Sequence, residues 1–293
     1  MATSSDPWSR WLLERRDAGD PRQRSRALEQ LAPIRDRVLA GAGPLDGATL
    51  LDVGAGEGLI GLEALDRVGD AGTVIFSDVS PALLERCEHA VRALGLLDRA
   101  RFVHARAEDL AGISDASVDV VTLRSVLIYV ADKAAAFASI RRVLRPGGRL
   151  SLFEPINRLT YPEPWNRFWG YDVAAVAELA DKVKATFAER QDPAIDTMLD
   201  FDHHGLVRLA EDAGFAPIHC DCHVDVEPRP PTGVVDVDVL LDSAPNPLAP
   251  TVREAIAEAL TEPERDRFVA HLRRAHDAGD QVRRLAVAYL VAG

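Results

Sequence analysis

Residues 50–65, LLDVGAGEGLIGLEAL, place two carboxylates, Asp52 and Glu57, among the glycines Gly54, Gly56, Gly58 and Gly61. An apolar run, a glycine-rich turn and a helix start expose backbone N–H groups at a helix N-terminus. Such a turn ordinarily receives a nucleotide phosphate. A literal G-x-G-x-x-G is present at Gly56, Gly58 and Gly61, but its register is wrong for a dinucleotide. There the first glycine follows the strand directly, and here that glycine is Gly54. Counting from Gly54 gives Gly56 second and Leu59 where the third glycine belongs. The charges decide further. A pyrophosphate flanked by Asp52 and Glu57 meets a repulsion of about 4 kcal/mol per close charge pair at an effective dielectric near 20.

A ligand with a cationic end and no phosphate fits better. S-adenosylmethionine has an ammonium, a sulfonium and a ribose. The glycines then admit its amino-acid part, with the acid facing its ammonium. The next apolar run ends in Asp78, where a carboxylate can accept both ribose hydroxyls. This feature is shared with NAD enzymes, and capping of the following helix within SDVSP is the plainer alternative for Asp78.

The elements around these residues alternate. Residues 48–53, 72–79, 100–105, 117–127 and 149–155 read as apolar strands, and 59–68, 80–95 and 132–144 as helices. Ser80 is an expected N-cap with Pro81 at the first helical position, and RPGG at 145–148 is a turn. Strands apolar on both faces and separated by helices predict a parallel sheet covered on both sides. After Glu154 the rhythm breaks. Five of the chain's seventeen aromatics fall within 161–171. Helices are expected at about 172–190, 202–215, 251–260 and 263–277, and strands at 217–227 and 283–292. The fold class expected is α/β, a doubly wound, Rossmann-like, seven-stranded, mostly parallel sheet with N-terminal helices and helical lid and insertions. Its parts are a helical cap (1–45), the cofactor-binding core (46–155), an aromatic-rich helical lid (156–200), and the end of the sheet with a helical insertion at about 245–278 (201–293).

In the order LLDVGAGEG, FSDVS, RAEDL, SVDVVTLRSVLIYV and RVLRPGGRLSLFEP, the chain resembles the class I S-adenosylmethionine-dependent methyltransferases, most closely the small-molecule group with quinone-biosynthesis and arsenite enzymes. The resemblance covers residues 46–155 well and 201–226 more loosely. It implies that Asp52 and the turn of Gly54, Ala55, Gly56 and Gly58 hold the methionine part, that Asp78 and Val79 meet the ribose, that Ala107 and Glu108 lie beside the adenine, and that Arg124 sits at the methionine end. One departure is Arg106, where many relatives carry an aspartate for the adenine amino group; Glu108 or Asp109 is the substitute, with capping as the alternative.

Methyl transfer from a sulfonium is an in-line displacement in which the protein mainly orients the partners and keeps the site dry. A base is required only if the acceptor must lose a proton, so a missing catalytic motif does not argue against the reaction. Strand carboxyl ends carry ligands in such sheets. That singles out Tyr129, Glu154 and Asn157, with Trp165 and Trp169 from the aromatic segment, as acceptor contacts, and Trp8 and Trp11 as further members of the lid. Glu154, Tyr129 and His203 are the candidates for proton transfer. For each the ordinary alternative is structural: loop hydrogen bonding, core packing or helix capping. Cys220 and Cys222 share a strand face and, with Cys87, could in principle bind a metalloid. Small buried thiols are the more ordinary reading, and no metal spacing is present.

The net charge of −12 argues against a nucleic-acid binder, which wants a basic face, and none is visible in the sequence. No apolar run is long enough to span a membrane, the N-terminus has no secretory h-region, and three cysteines do not make a disulfide framework. The expectation is a cytoplasmic enzyme that uses S-adenosylmethionine to methylate a small molecule, at O or N ahead of C. No nucleic-acid or membrane partner is expected, no metal is required, and a homodimer is left open. The alternatives are a cofactor-binding sensor or partner subunit without turnover, and an NAD-dependent oxidoreductase.

Overall fold

The computed structural model describes residues 6–228 and 236–293. Strands β1 (Thr49–Val53), β2 (Thr73–Asp78), β3 (Ala100–His104), β4 (Val118–Arg124) and β5 (Leu144–Pro155) alternate with helices α3 (Gly61–Arg67), α4 (Pro81–Ala93) and α5 (Lys133–Val143). The helices begin where the sequence offers caps. Ser80 Oγ accepts the Leu83 N–H, with Pro81 in the first turn, and the Asp132 carboxylate accepts the Ala135 N–H. Successive side chains of β1 enter different cores: Leu51 and Val53 join one, Leu50 the other. Burial of both faces explains the near-continuous apolar runs.

The sheet order is β3-β2-β1-β4-β5-β9-β8, with β8 (Ile218–Pro228) and β9 (Val282–Ala292) last in sequence. β9 lies antiparallel to both β5 and β8, and the pairs from β3 through β5 are parallel. The strand order reverses between β1 and β4, which opens a crevice at their carboxyl ends. Gly61 brings α3 close to the sheet there, since a Cβ on it would lie 2.3 Å from the Phe76 ring.

Before the sheet come α1 (Pro7–Arg10), a π-helical turn (Trp11–Arg15) and α2 (Pro21–Gly41), interrupted at Asp20, whose carboxylate caps α2 through the Arg22 N–H. After β5 come a short hairpin, β6 (Arg167–Phe168) and β7 (Tyr171–Asp172), then α6 (Ala177–Arg190) and α7 (His203–Asp212). Between β8 and β9 lie α8 (Val237–Asp242), α9 (Val252–Ala259) and α10 (Glu262–Asp277). The hairpin and α8 are absent from the sequence reading, because two-residue strands and a six-residue helix are too short to show a period. Phe168, Tyr171 and Val183 share a core with Leu241, Ile256, Phe268 and Leu272. Two segments far apart in sequence thus pack as one helical body against the sheet's carboxyl edge. No helix among the described residues is long and apolar enough to cross a membrane.

Candidate active site

The turn after β1 is held from below. Gly54 has φ +66°, and a Cβ there would sit 2.4 Å from Val126 Cγ2, so only glycine fits between β1 and the loop after β4. Asp52 pairs across the sheet with Thr122 and accepts its hydroxyl at 2.9 Å; its other oxygen accepts the Gly61 N–H at 3.0 Å. Burial pushes its carboxyl up to about 7 against those two hydrogen bonds. Asp78, at the end of β2, accepts the Gly56 and Ser80 N–H groups, each at 2.8 Å. Burial raises its pKa as well.

Above the turn lies a cavity of about 70 Å³ lined by Asp52, Gly54, Ala55, Gly56, Glu57 and Arg124 from the sheet side and by Leu12, Arg16, Asp17 and Arg24 from the N-terminal segment. That volume holds about two waters at ~30 Å³ each. It is small because the N-terminal segment is clasped down. Ser80 Oγ donates to Asp6 at 2.6 Å, Trp8 packs edge-on to Tyr129 at 4.9 Å, and the Trp11 indole donates to the Ala244 carbonyl at 2.9 Å. The cavity is rich in cations. Burial and the neighbouring Arg16 charge push Arg124 down to about 10. Arg24 donates to the Leu13 carbonyl, yet its Nε is buried with no hydrogen-bond partner among the described residues.

A family model described as a methyltransferase domain matches residues 51–152. A tRNA 5-carboxymethoxyuridine methyltransferase of Escherichia coli is 38% identical over 117 residues, 40% of this chain; the match spans only 43% of that relative's length. Nocamycin O-methyltransferase of Saccharothrix syringae is 30% identical over 213 residues, covering 70% of this chain and 72% of the relative. This chain belongs to the S-adenosylmethionine-dependent methyltransferases. A solved geranyl diphosphate methyltransferase in complex with S-adenosylmethionine shares the fold, with a TM-score of 0.52 at 17% identity, over 94% of this chain and 93% of that one. The nicotinamide alternative is thereby set aside.

The methyltransferase's small cavity fits the cofactor's amino-acid end. The Gly54 cradle leaves no room for a side chain, the acids Asp52, Asp17 and Glu57 suit an ammonium, and the guanidinium groups of Arg24 and Arg16 suit a carboxylate. When bound there, S-adenosylmethionine supplies an electrophilic methyl group on sulfur. Of the expected cofactor residues, Asp52, Gly54, Ala55, Gly56 and Arg124 line this cavity, and Gly58, Asp78, Val79, Ala107 and Glu108 do not. Asp78 fixes the turn through Gly56. Val79 is 39% exposed beside the His104 ring, Ala107 is buried, and Glu108 is bridged to Arg106 at 2.7 Å.

A second, larger cavity of about 1120 Å³ lies between the N-terminal helices and the helical body and shares Arg16, Asp17 and Ala27 with the first. Asn157 and Trp169 line it, with Tyr161, Phe168, Tyr171 and Phe187 as further aromatic walls. Trp165, Tyr129, Glu154 and His203 do not. Trp165 is turned outward and is 69% exposed. Glu154 points into the protein: its Oε1 accepts the Val126 and Leu127 N–H groups at 2.8 and 2.9 Å, and Oε2 reaches the Ile128 N–H at 3.4 Å. It anchors the loop after β4, and burial raises it to about 7. Tyr129 is spent on Trp8 and Trp11, and burial pushes its hydroxyl up to about 12, where it stays protonated. The His203 ring lies against His204, tilted by 37° with centroids 4.3 Å apart. Trp8 and Trp11 line neither cavity; they pack on Tyr129 and hold down the segment whose Leu12 lines the cofactor cavity.

Cys87 is buried in α4 and donates to the Gly56 carbonyl at 3.1 Å, whereas Cys220 and Cys222 lie on the opposite edge of the sheet in β8. A common three-thiol site is geometrically closed to them, and burial raises all three thiols. The sequence reading missed Arg16, Arg24, Gln191 and Arg284. The eight arginines between Arg10 and Arg37 read as a solvated helical face. Their excess near Pro21 was the one signal available for Arg16 and Arg24, and no local pattern marks Gln191 or Arg284.

Proposed function

We propose that this chain transfers the methyl group of S-adenosylmethionine to a small-molecule acceptor held in the larger cavity, at oxygen or nitrogen ahead of carbon. The observation that carries this reading is the adjacency of the two cavities, which have Arg16, Asp17 and Ala27 in common in their walls. The larger volume is of the size small-molecule sites have, and its aromatic walls suit a flat acceptor. The chain's own residues bind and orient. Arg24 and Arg16 hold a carboxylate, Gly54 lets the ligand approach the backbone, Asp78 stiffens the turn and can meet a ribose, and the N-terminal segment excludes water. Neither Tyr129 nor Glu154 is placed to take a proton from an acceptor, so the acceptor enters ionised or loses its proton to water. Nucleic acid is a poor match for a chain of net charge −12. The likeness to the tRNA enzyme extends over 117 residues, whereas the likeness to the O-methyltransferase extends over 213.

The test is release of S-adenosylhomocysteine from S-adenosylmethionine on adding a panel of small conjugated acids, phenols and amines, with bulk tRNA alongside. Acceptor-dependent release with a small molecule and none with tRNA supports the reading. Tight cofactor binding without release for any acceptor favours a sensor or partner subunit.

A further inference from the structure

We propose that the acceptor is a planar organic oxyanion, a carboxylate or enolate, whose charged oxygen lies against Arg284 and whose second polar edge meets Gln191. This rests on the larger cavity being the acceptor site. Its ionisable lining runs against the charge of the whole chain. Arg16, Arg26, Lys184, Arg283 and Arg284 face Asp17, Glu163 and Asp196, five cations against three acids in a protein of net charge −12. The acids are largely committed. Glu163 accepts the Trp169 and Gly170 N–H groups at 2.8 Å each, and Asp196 accepts the Met198 N–H at 2.9 Å. Among the cations, Arg283 pairs with Glu227 and Lys184 lies near Asp181. Arg16, Arg26 and Arg284 have no carboxylate partner among the described residues, and the Arg284 Nε is buried with no hydrogen-bond partner there.

Gln191 makes the same demand independently. Asn246 Oδ1 accepts the backbone N–H groups of Leu248 and Ala249, so its amide nitrogen must face Gln191, and it donates to Gln191 Oε1 at 2.9 Å. That fixes the Gln191 amide with its NH₂ turned the other way, buried and without an acceptor. Arg284 and Gln191 both line one chamber and each keeps an unmet donor just behind its wall, so an acceptor-rich ligand entering there is the means of satisfying them, since an unmet buried donor is costly. A guanidinium without a carboxylate partner selects an anion rather than a carbonyl. The aromatic walls at Tyr161, Trp169 and Tyr171 select a flat one.

The test uses the full chain saturated with S-adenosylhomocysteine and two fluorescent probes of one skeleton, the anion anilinonaphthalene sulfonate and the neutral phenylnaphthylamine. In Arg284→Gln the anionic probe is expected to bind about tenfold or more weakly and the neutral probe as before, because one charge-assisted contact is worth about that much. Arg284→Lys, which keeps the charge, is expected to recover part of the loss. Weakening of both probes alike, weakening of neither, or no binding of the anionic probe to the wild-type chain overturns the proposal. Failure of S-adenosylhomocysteine to bind the wild-type chain overturns the methyl-transfer reading instead, and is scored separately by calorimetry.

Discussion

The Trp8 and Tyr129 rings meet edge to face, 4.9 Å apart and inclined by 73°. This contact joins α1 to the loop after β4 and ties down the segment whose Leu12 lines the cofactor cavity. The cavity takes only the cofactor's amino-acid end and is walled on one side by Leu12, so lifting of the segment that carries Trp8 and Leu12 is the expected route of entry. Trp8→Ala is therefore expected to speed S-adenosylhomocysteine association several-fold, an aromatic pair being worth about 0.5–1.5 kcal/mol. Stopped-flow binding measures it; an unchanged association rate would show that the cofactor enters by another route.

Gly54→Ala is expected to cost at least about 1–3 kcal/mol of stability and to abolish cofactor binding. The new methyl would sit 2.4 Å from Val126 Cγ2 at a φ of +66°. Thermal unfolding and calorimetry read both effects. Retention of wild-type affinity would mean that the turn does not approach the cofactor.

Glu154→Gln is expected to destabilise by about 1–3 kcal/mol, because an amide NH₂ replaces one oxygen of a carboxylate that serves three backbone donors. If Glu154 were instead an acceptor contact, the same substitution would leave the melting temperature alone and raise only the KM of the acceptor.

Stability is expected to fall as pH rises through the neutral range. Asp52 and Glu154 are both raised to about 7 in the folded chain by burial, from ordinary values near 4. Between about 4 and 7 the fold therefore holds protons that the unfolded chain has lost. The resulting cost grows with pH across that window and is complete above about 7. Melting curves from about pH 5 to about pH 9 for wild type and Asp52→Asn test this. The variant should show a shallower decline, and parallel curves would remove Asp52 from the account.

Asp78→Asn separates two roles. The wild-type carboxylate accepts from Gly56 and Ser80, and an amide can keep one of these and lose the other. A loss of about 1–3 kcal/mol in S-adenosylhomocysteine binding together with a lower melting temperature fits a residue that stiffens the turn. A loss in binding alone would give the whole effect to ribose contact.

Local pattern in the sequence determined the sheet, its flanking helices and the glycine turn. Periodicity, caps such as Ser80 and Asp132, and the spacing from Gly54 to Asp78 act over a few residues or one strand–helix–strand unit, and such signals survive in one dimension. The tertiary structure decided what each polar side chain faces. Glu154 sits at the strand end the sequence indicated, yet its carboxylate turns inward because Val126, Leu127 and Ile128 present three donors there. Arg24 reads as surface charge and Arg284 as one more strand residue until α2 and β9 put them over cavities. The common core of Phe168 with Phe268 joins residues a hundred positions apart. Hydrogen-bond satisfaction and burial are set by partners distant in sequence, and no local pattern encodes them.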